Sequence, residues 1–499
     1  MKKYNALQAH FDKIYDFEHL GAICGWDEAA MMPAGGGESR ARAMSTLGVL
    51  IHEMMTDDKV PGLLVDAASE ALDPWQRANL REISRAVVSA SAVPSSIVEK
   101  LGLATSRCEQ AWRVHRAENN WSAMEPLLQE VVDISRERAQ ILADAFGCSP
   151  YDALLDEYEP GVTSAMVDRV FADLKGFLPE FAAQVMNQQA AEPVLPLTGD
   201  FSIEKQKALG VEVMTALGFD FDHGRLDISH HPFCGGVPDD VRITTRYNTG
   251  NFVESLMGVI HETGHAMYEQ GLPADWRRQP VGEALSSGTH ESQSLLMEMQ
   301  AGRTREFLQF LAPRAQRIFL GHESNDPAWS VDNLHRLYTR VERSHIRVDA
   351  DEVTYPLHVI LRYELEKDLI AGTLKVKDIP DAWDAKMSEY LDISTAGNFT
   401  DGCLQDVHWP AGLFGYFPTY TLGAMTAAQL FAAATREVED LHGGISRGDF
   451  SQLLAWLREK VHGQGKFLSF DELMLGATGE TLDAKHFKQH LTQRYQQRT

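Results

Sequence analysis

The chain has 499 residues, 44% of them hydrophobic and 23% charged, which supplies enough apolar material for a sizeable core and excludes a disordered or fibrous class. Its 46 Lys and Arg stand against 71 Asp and Glu, and a formal charge of -25 opposes phosphate backbones and anionic lipid, so no nucleic-acid or membrane partner is expected. The five cysteines are odd in number and far apart, with no CxxC pair, so they signal neither a disulfide framework nor a thiolate metal site and point to a reducing, cytoplasmic setting.

At the N-terminus, MKKYNALQAHFDKIYDFEHL meets acidic and polar residues before an apolar run of signal-peptide length can form, so export is not expected. Helical periodicity dominates the first two hundred residues. Trp121 to Phe146 places Met124, Leu127, Leu128, Val131, Ile134 and Leu142 near one stripe, as in antiparallel packed helices. Pro94, Pro150, Pro160 and Pro179 punctuate this pattern, and no Ser/Gly-rich linker or fixed repeat divides the chain, so one domain over 1–499 is expected.

The clearest strand is Val241 to Tyr247 (VRITTRY), in which Val241, Ile243, Thr245 and Tyr247 share a face. Its expected partner is the stretch around Ile228, with Pro232, Gly235, Gly236 and Pro238 as the turn of a small hairpin. A helix follows from Phe252 to Gln270, capped by Asn251 and ended by Gly271 and Pro273. A second helix is expected to start near Thr289 and run through Leu295, Leu296 and Met299. The uncharged stretch from Trp409 to Thr435 is long enough for a membrane span. Pro418, several Thr, Gln429 and two closely spaced Tyr make buried interior the better reading. The fold class is therefore mainly α with a minor β element.

The 252–270 helix carries His261-Glu262-Thr263-Gly264-His265, an HExxH motif. Residues four apart lie one turn apart on the same helical face, so both imidazoles can reach one ion at about 2.0–2.1 Å, as zinc requires. Glu262 sits about 100° round the helix, placed to touch a water beside the metal without ligating, and is the general-base candidate. A catalytic zinc takes three protein ligands. The metzincin continuation is absent, since Tyr268 and Gly271 occupy the corresponding positions. The nearby downstream carboxylates are Glu283, Glu291 and Glu298; Glu291, in the first turn of the next helix, is preferred as third ligand. Two neutral imidazoles and one carboxylate leave a divalent ion with net positive charge, which favours hydrolysis of a polarised carbonyl.

Further segments surround this motif: WDEAAMMP (Trp26 to Pro33), YDALLDEYEPG (Tyr151 to Gly161), HPF (His231 to Phe233), DVRIT (Asp240 to Thr244), HESQS (His290 to Ser294), IRVDAD (Ile346 to Asp351) and GCLQDVHW (Gly402 to Trp409). In these, in the same order and over nearly the whole chain, the sequence resembles the M32 family of metallocarboxypeptidases, the thermostable-carboxypeptidase-like group. The resemblance implies a two-lobed helical enzyme related in fold to angiotensin-converting enzyme and neurolysin, with a deep groove partly walled by N-terminal helices (about 1–90). It also implies a homodimer that removes C-terminal residues from peptides with broad specificity. By motif, His261, His265 and Glu291 would hold one zinc per chain, for which cobalt or another divalent ion could substitute, and Glu262 would be the base.

The same resemblance selects the substrate-binding residues. A free terminal carboxylate calls for a guanidinium; Arg347 of IRVDAD is the first candidate and Arg242 the second. His408, with Tyr416 and Tyr420 beyond it, suits oxyanion and carboxylate recognition, Tyr420 being preferred as the tyrosine that faces the metal. His223, His230, His231, His345 and His358 are read as structural. The VRITTRY strand is a candidate to pair with substrate backbone. Two other readings stay open: an oligoendopeptidase or dipeptidyl carboxypeptidase on the same scaffold, and a non-catalytic peptide-binding protein.

Overall fold

The computed structural model describes residues 2–496. The first four helices are α1 (Lys2–Ala30), α2 (Gly37–Met55), α3 (Lys59–Ala68) and α4 (Pro74–Ala92). They share a small apolar cluster of their own, built from Leu7, Phe11, Ile14, Val60, Ile83 and Val87. Polar contacts tie this unit to the body: Arg278 to Asp16 at 2.8 Å, Gln279 to Asp12 at 2.6 Å and Asn79 to Gln279 at 2.8 Å.

The body continues with α5 (Ser95–Ala117), α6 (Trp121–Phe146), α7 (Pro150–Leu155), α8 (Ser164–Gln189) and α9 (Ile203–Leu217). The stripe expected on α6 is the one it buries, through Met124, Leu128, Val131 and Leu142, with Asn120 capping its start and left-handed Gly147 its end. Pro94, Pro150 and Pro160 fall at or between helix boundaries, but Pro179 lies inside α8. There the buried row Val167, Val170, Phe171, Leu174, Leu178 and Phe181 holds the helix together across the missing N–H.

Three strands follow, β1 (Gly224–Ile228), β2 (Phe233–Val237) and β3 (Asp240–Thr245), in the order β1-β3-β2. The stretch around Ile228 does pair with the VRITTRY strand, but in parallel, and β2 rather than a simple turn lies between them. The hairpin partner of β3 is β2, antiparallel, with Cys234 opposite Ile243. The glycine pair hid this strand: Gly236 has φ +91°, and a Cβ there would strike the Asp240 carbonyl, so it serves the tight β2–β3 corner from within the strand. β3 is thus central and has no free edge for a peptide; β2 is an edge. Leu226, Val241 and Ile243 pack the sheet onto Met214 of α9 and Val259 and Ala266 of the next helix.

That helix, α10 (Phe252–Gly271), starts at Asn251, whose side chain accepts from Val253 N at 3.0 Å. α11 (Ser287–Leu295) begins two residues before the expected position, because Ser286 and not Thr289 caps it. It runs into a π-helical turn, Leu296–Ala301. The remaining helices are α12 (Arg305–Leu320), α13 (Val331–Tyr338), α14 (Tyr355–Ala371), α15 (Ile379–Leu391), α16 (Pro418–Glu437), α17 (Leu441–Arg447), α18 (Ser451–Lys460), α19 (Phe470–Thr478) and α20 (Ala484–Tyr495). One apolar core runs from α5 to α20. The uncharged tract forms α16 in the middle of that core, its Gln429 bonded to Thr478 and to the carbonyls of Glu480 and Thr481. Among the described residues, no single helix is long and apolar enough to cross a membrane.

α20 is held by Glu352, which is 1% exposed and contacts His490, Arg494 (3.0 Å) and Tyr495 (3.0 Å). Burial would raise the Glu352 pKa, but His490 and Arg494 outweigh it and hold the carboxyl well below the usual range. A depressed folded-state pKa contributes stability above the unfolded value of about 4.3 and loses it as pH falls further. Glu352→Gln, which leaves the buried Arg494 without its carboxylate, is expected to cost about 3–5 kcal/mol near neutral pH. The variant and wild type should converge under acid, as read by denaturant unfolding at several pH values.

Candidate metal centre

α10 and α11 cross at close quarters beneath a groove of about 900 Å³. Gly264 makes the approach possible: a Cβ there would lie 2.6 Å from Ser294 Cα and against the Gln293 carbonyl. α16 closes in from the other side at Gly423, where a Cβ would meet Glu291 Cβ and Cγ at 2.8 Å. Three helices thereby converge on one carboxylate.

The result is a cluster in which one ligand atom each from His261, His265 and Glu291 lies within 4.8 Å of the others. His265 Nε2 is 3.4 Å and His261 Nε2 3.8 Å from Glu291 Oε2. Atoms that each sit about 2.0–2.2 Å from a tetrahedral ion stand roughly 3.4 Å apart, so the donor set fits a divalent cation of zinc type. The far nitrogens are also engaged: His261 Nδ1 meets Glu298 at 3.0 Å, and His265 Nδ1 meets His290 at 2.5 Å.

Glu298, weighed from sequence as a ligand, instead stands behind His261, held by Arg303 at 2.7 Å. Glu298 belongs to the π-helical turn, an element frequent at functional sites. Glu283 pairs with Lys466 at 2.6 Å on the groove wall.

Carboxylates dominate the local charge. Burial lowers the His261 pKa, but Glu291, Glu298 and Glu262 carry it up to about 10, the response of a site that calls for a cation. His265 falls to about 4 through burial. Glu262 is 6% exposed, lies on the groove wall and is pushed up to about 7 by burial, His261 opposing and Glu291 adding to the shift. A carboxylate tuned so close to neutrality can take and return a proton.

Tyr416 and Tyr420 line the groove with the ligands; their rings are 5.3 Å apart. Tyr420 OH lies 3.0 Å from His408 Nε2. Burial lowers the His408 pKa to about 4, so the imidazole is neutral near pH 7. Arg347 sits behind this wall, 5% exposed, with Nε and Nη2 on Asp406 (3.1 and 2.9 Å), Nη1 on Tyr355 OH (2.7 Å) and the guanidinium 4.9 Å from the Tyr420 ring centre. Arg362 reaches the same Asp406 at 2.6 Å, so two guanidinium groups share one carboxylate and leave surplus positive charge behind Tyr420. Arg242 lies outside the groove lining, bonded to Asp240 through Nε (2.9 Å) and Nη2 (2.7 Å) and stacked 4.4 Å over Trp26 of α1.

Sequence reading missed Gly264 and Gly423 as packing residues, and His290, Glu269 and Arg303 as members of the polar chains behind His265 and His261. A glycine in mid-helix between two ligand histidines was the one local signal on offer. The groove's other wall comes from α1 (Phe11, Ile14, Tyr15) and α4 (Glu82, Arg85), and its floor beside the ligands from Phe233 and Cys234 of β2.

A profile described as Carboxypeptidase Taq (M32) metallopeptidase matches residues 6–495. The chain is 39% identical over 490 residues to Thermostable carboxypeptidase 1 of Thermus thermophilus, covering 95% of each. To Carboxypeptidase 1 of Bacillus subtilis it is 34% identical, over 97% of this chain and 96% of the relative. The solved structure of Trypanosoma cruzi metallocarboxypeptidase 1 superposes with a TM-score of 0.97 at 44% identity, covering 99% and 100% of the two chains.

Proposed function

The chain belongs to the M32 family of metallocarboxypeptidases, and from that premise we propose that it is a zinc enzyme releasing single residues of broad type from peptide C-termini. The observation that carries the metal assignment is the convergence of His261, His265 and Glu291 on one point beneath the groove. Zinc bound there would polarise the scissile carbonyl and ease deprotonation of the attacking water. The Glu262 carboxylate accepts that proton and returns it to the leaving amine; its pKa of about 7 and its place on the groove wall support this role. Tyr420, held by His408, and Tyr416 beside it line the groove with His261, His265 and Glu291 and would stabilise the oxyanion.

The shared Asp406 of Arg347 and Arg362 supports the carboxypeptidase reading, since surplus buried positive charge attracts the substrate's terminal carboxylate towards the Tyr420 side. Arg347, behind Tyr420, is the preferred source of that field; neither it nor Arg242 lines the groove, and Arg242 is paired with Asp240. Substrate backbone would add to the β2 edge, whose Phe233 and Cys234 line the groove. A homodimer and a reducing, cytoplasmic location complete the proposal; the five unpaired cysteines favour such a compartment.

C-terminal amidation of a peptide that the wild-type enzyme degrades is expected to lower kcat/KM by at least about 100-fold, the loss of one buried charge-assisted contact. Mass spectrometry of the two product sets decides the question. Equal cleavage of both forms would favour the oligoendopeptidase reading.

A further inference from the structure

His265 is oriented differently from its neighbour. The Nδ1 of His261 faces a carboxylate, Glu298, but the Nδ1 of His265 faces another imidazole, His290, at 2.5 Å, and His290 Nε2 in turn meets Glu269 Oε1 at 2.8 Å. Glu269 belongs to α10, one turn beyond His265, so the path leaves α10, touches α11 at His290 and returns to α10.

Proton accounting leaves one arrangement compatible with a metal on His265. Nε2 points towards Glu291, 3.4 Å away, and must be bare to ligate, so the proton sits on Nδ1 and needs an acceptor. His290 Nδ1 can accept only if its own proton is on Nε2. That proton then points at Glu269, which as a carboxylate accepts and cannot donate. The reverse arrangement sets a lone pair of His290 against the carboxylate at 2.8 Å and a proton of His265 where the ion belongs. The choice is made two residues away from the metal.

We infer that Glu269 and His290 are positioning residues that lock His265 in its metal-binding tautomer, an indirect counterpart of the single step from Glu298 to His261. The inference rests on the proposed metal centre and extends it to two residues outside its three ligands. Outer partners of this kind typically change metal affinity 10–100-fold.

The test measures zinc affinity of the full-length protein by chelator competition, alongside thermal unfolding of the metal-free forms. His290→Leu and Glu269→Ala should each weaken zinc by roughly 10–100-fold. His290→Asn should recover much of the loss, because its amide oxygen can accept from His265 Nδ1. Glu269→Gln should do likewise, since its carbonyl can accept from His290 Nε2. A role confined to packing α10 against α11 would move metal-free unfolding and would not separate Asn from Leu. Should His290→Leu fail to fold, the two variants of the partly exposed Glu269 carry the test. Wild-type affinity in Glu269→Ala, or no difference between the acceptor-retaining and acceptor-lacking variants, would overturn the inference while wild type still binds zinc. A wild type that binds no zinc would overturn the metal centre and the inference together.

Discussion

Glu262→Gln is expected to lower kcat by roughly 10²–10⁴-fold while zinc content stays at one per chain. Gln has nearly the shape of Glu but cannot accept a proton at neutral pH, and all three ligand side chains remain in place. Glu262 is buried yet bears on the groove, and among the described residues it makes no side-chain ion pair that the substitution would break. Its stability should therefore change little or rise slightly, because a buried carboxylate is removed. Rate assays on an unmodified peptide, paired with metal analysis of the same sample, separate loss of the base from loss of the ion. Near-wild-type turnover in a zinc-loaded variant would remove Glu262 from the chemistry.

The second large effect comes from a residue with no functional group. Gly264→Ala places a methyl 2.6 Å from Ser294 Cα and against the Gln293 carbonyl, and both obstacles are backbone. Neither can swing aside as a flexible side chain would, so α10 and α11 must separate. Overpacking of this kind costs about 1–3 kcal/mol. The larger consequence is geometric, because Glu291 stands on α11 and the two histidines on α10. A shift of an ångström between the helices spoils a coordination sphere whose bonds are about 2 Å long. Activity is expected to fall by more than 100-fold with weaker zinc binding, since misplacement by about 1 Å can alone cost that much. Retained affinity and rate in Gly264→Ala would mean that the helix contact does not set the ligand positions.

How much of this was readable in advance follows from where each signal resides. α10 and the shared face of His261 and His265 were legible because their determinants are local: Asn251 caps the helix, Gly271 and Pro273 close it, and residues four apart share a face by spacing alone. Glu291 could be favoured among three carboxylates because it opens the next helix, but its rivals were dismissed only by three-dimensional contacts, Glu298 with His261 and Glu283 with Lys466. The π-helical turn that carries Glu298 has no periodicity signature in so short a stretch. β2 was concealed because Gly235 and Gly236 carry the composition of a turn while forming a strand edge. Gly423 looked like an ordinary residue of an apolar tract; its importance depends on α16 lying against Glu291, a contact distant in sequence.

The central claim is that His261, His265 and Glu291 together hold one divalent ion under the groove. Crystals of the zinc-loaded protein, measured on both sides of the zinc absorption edge, test it most directly. One anomalous peak per chain is expected, about 2.0–2.2 Å from an Nε2 of each histidine and from a carboxylate oxygen of Glu291. A peak elsewhere, or ligation by Glu298 in place of Glu291, would contradict it.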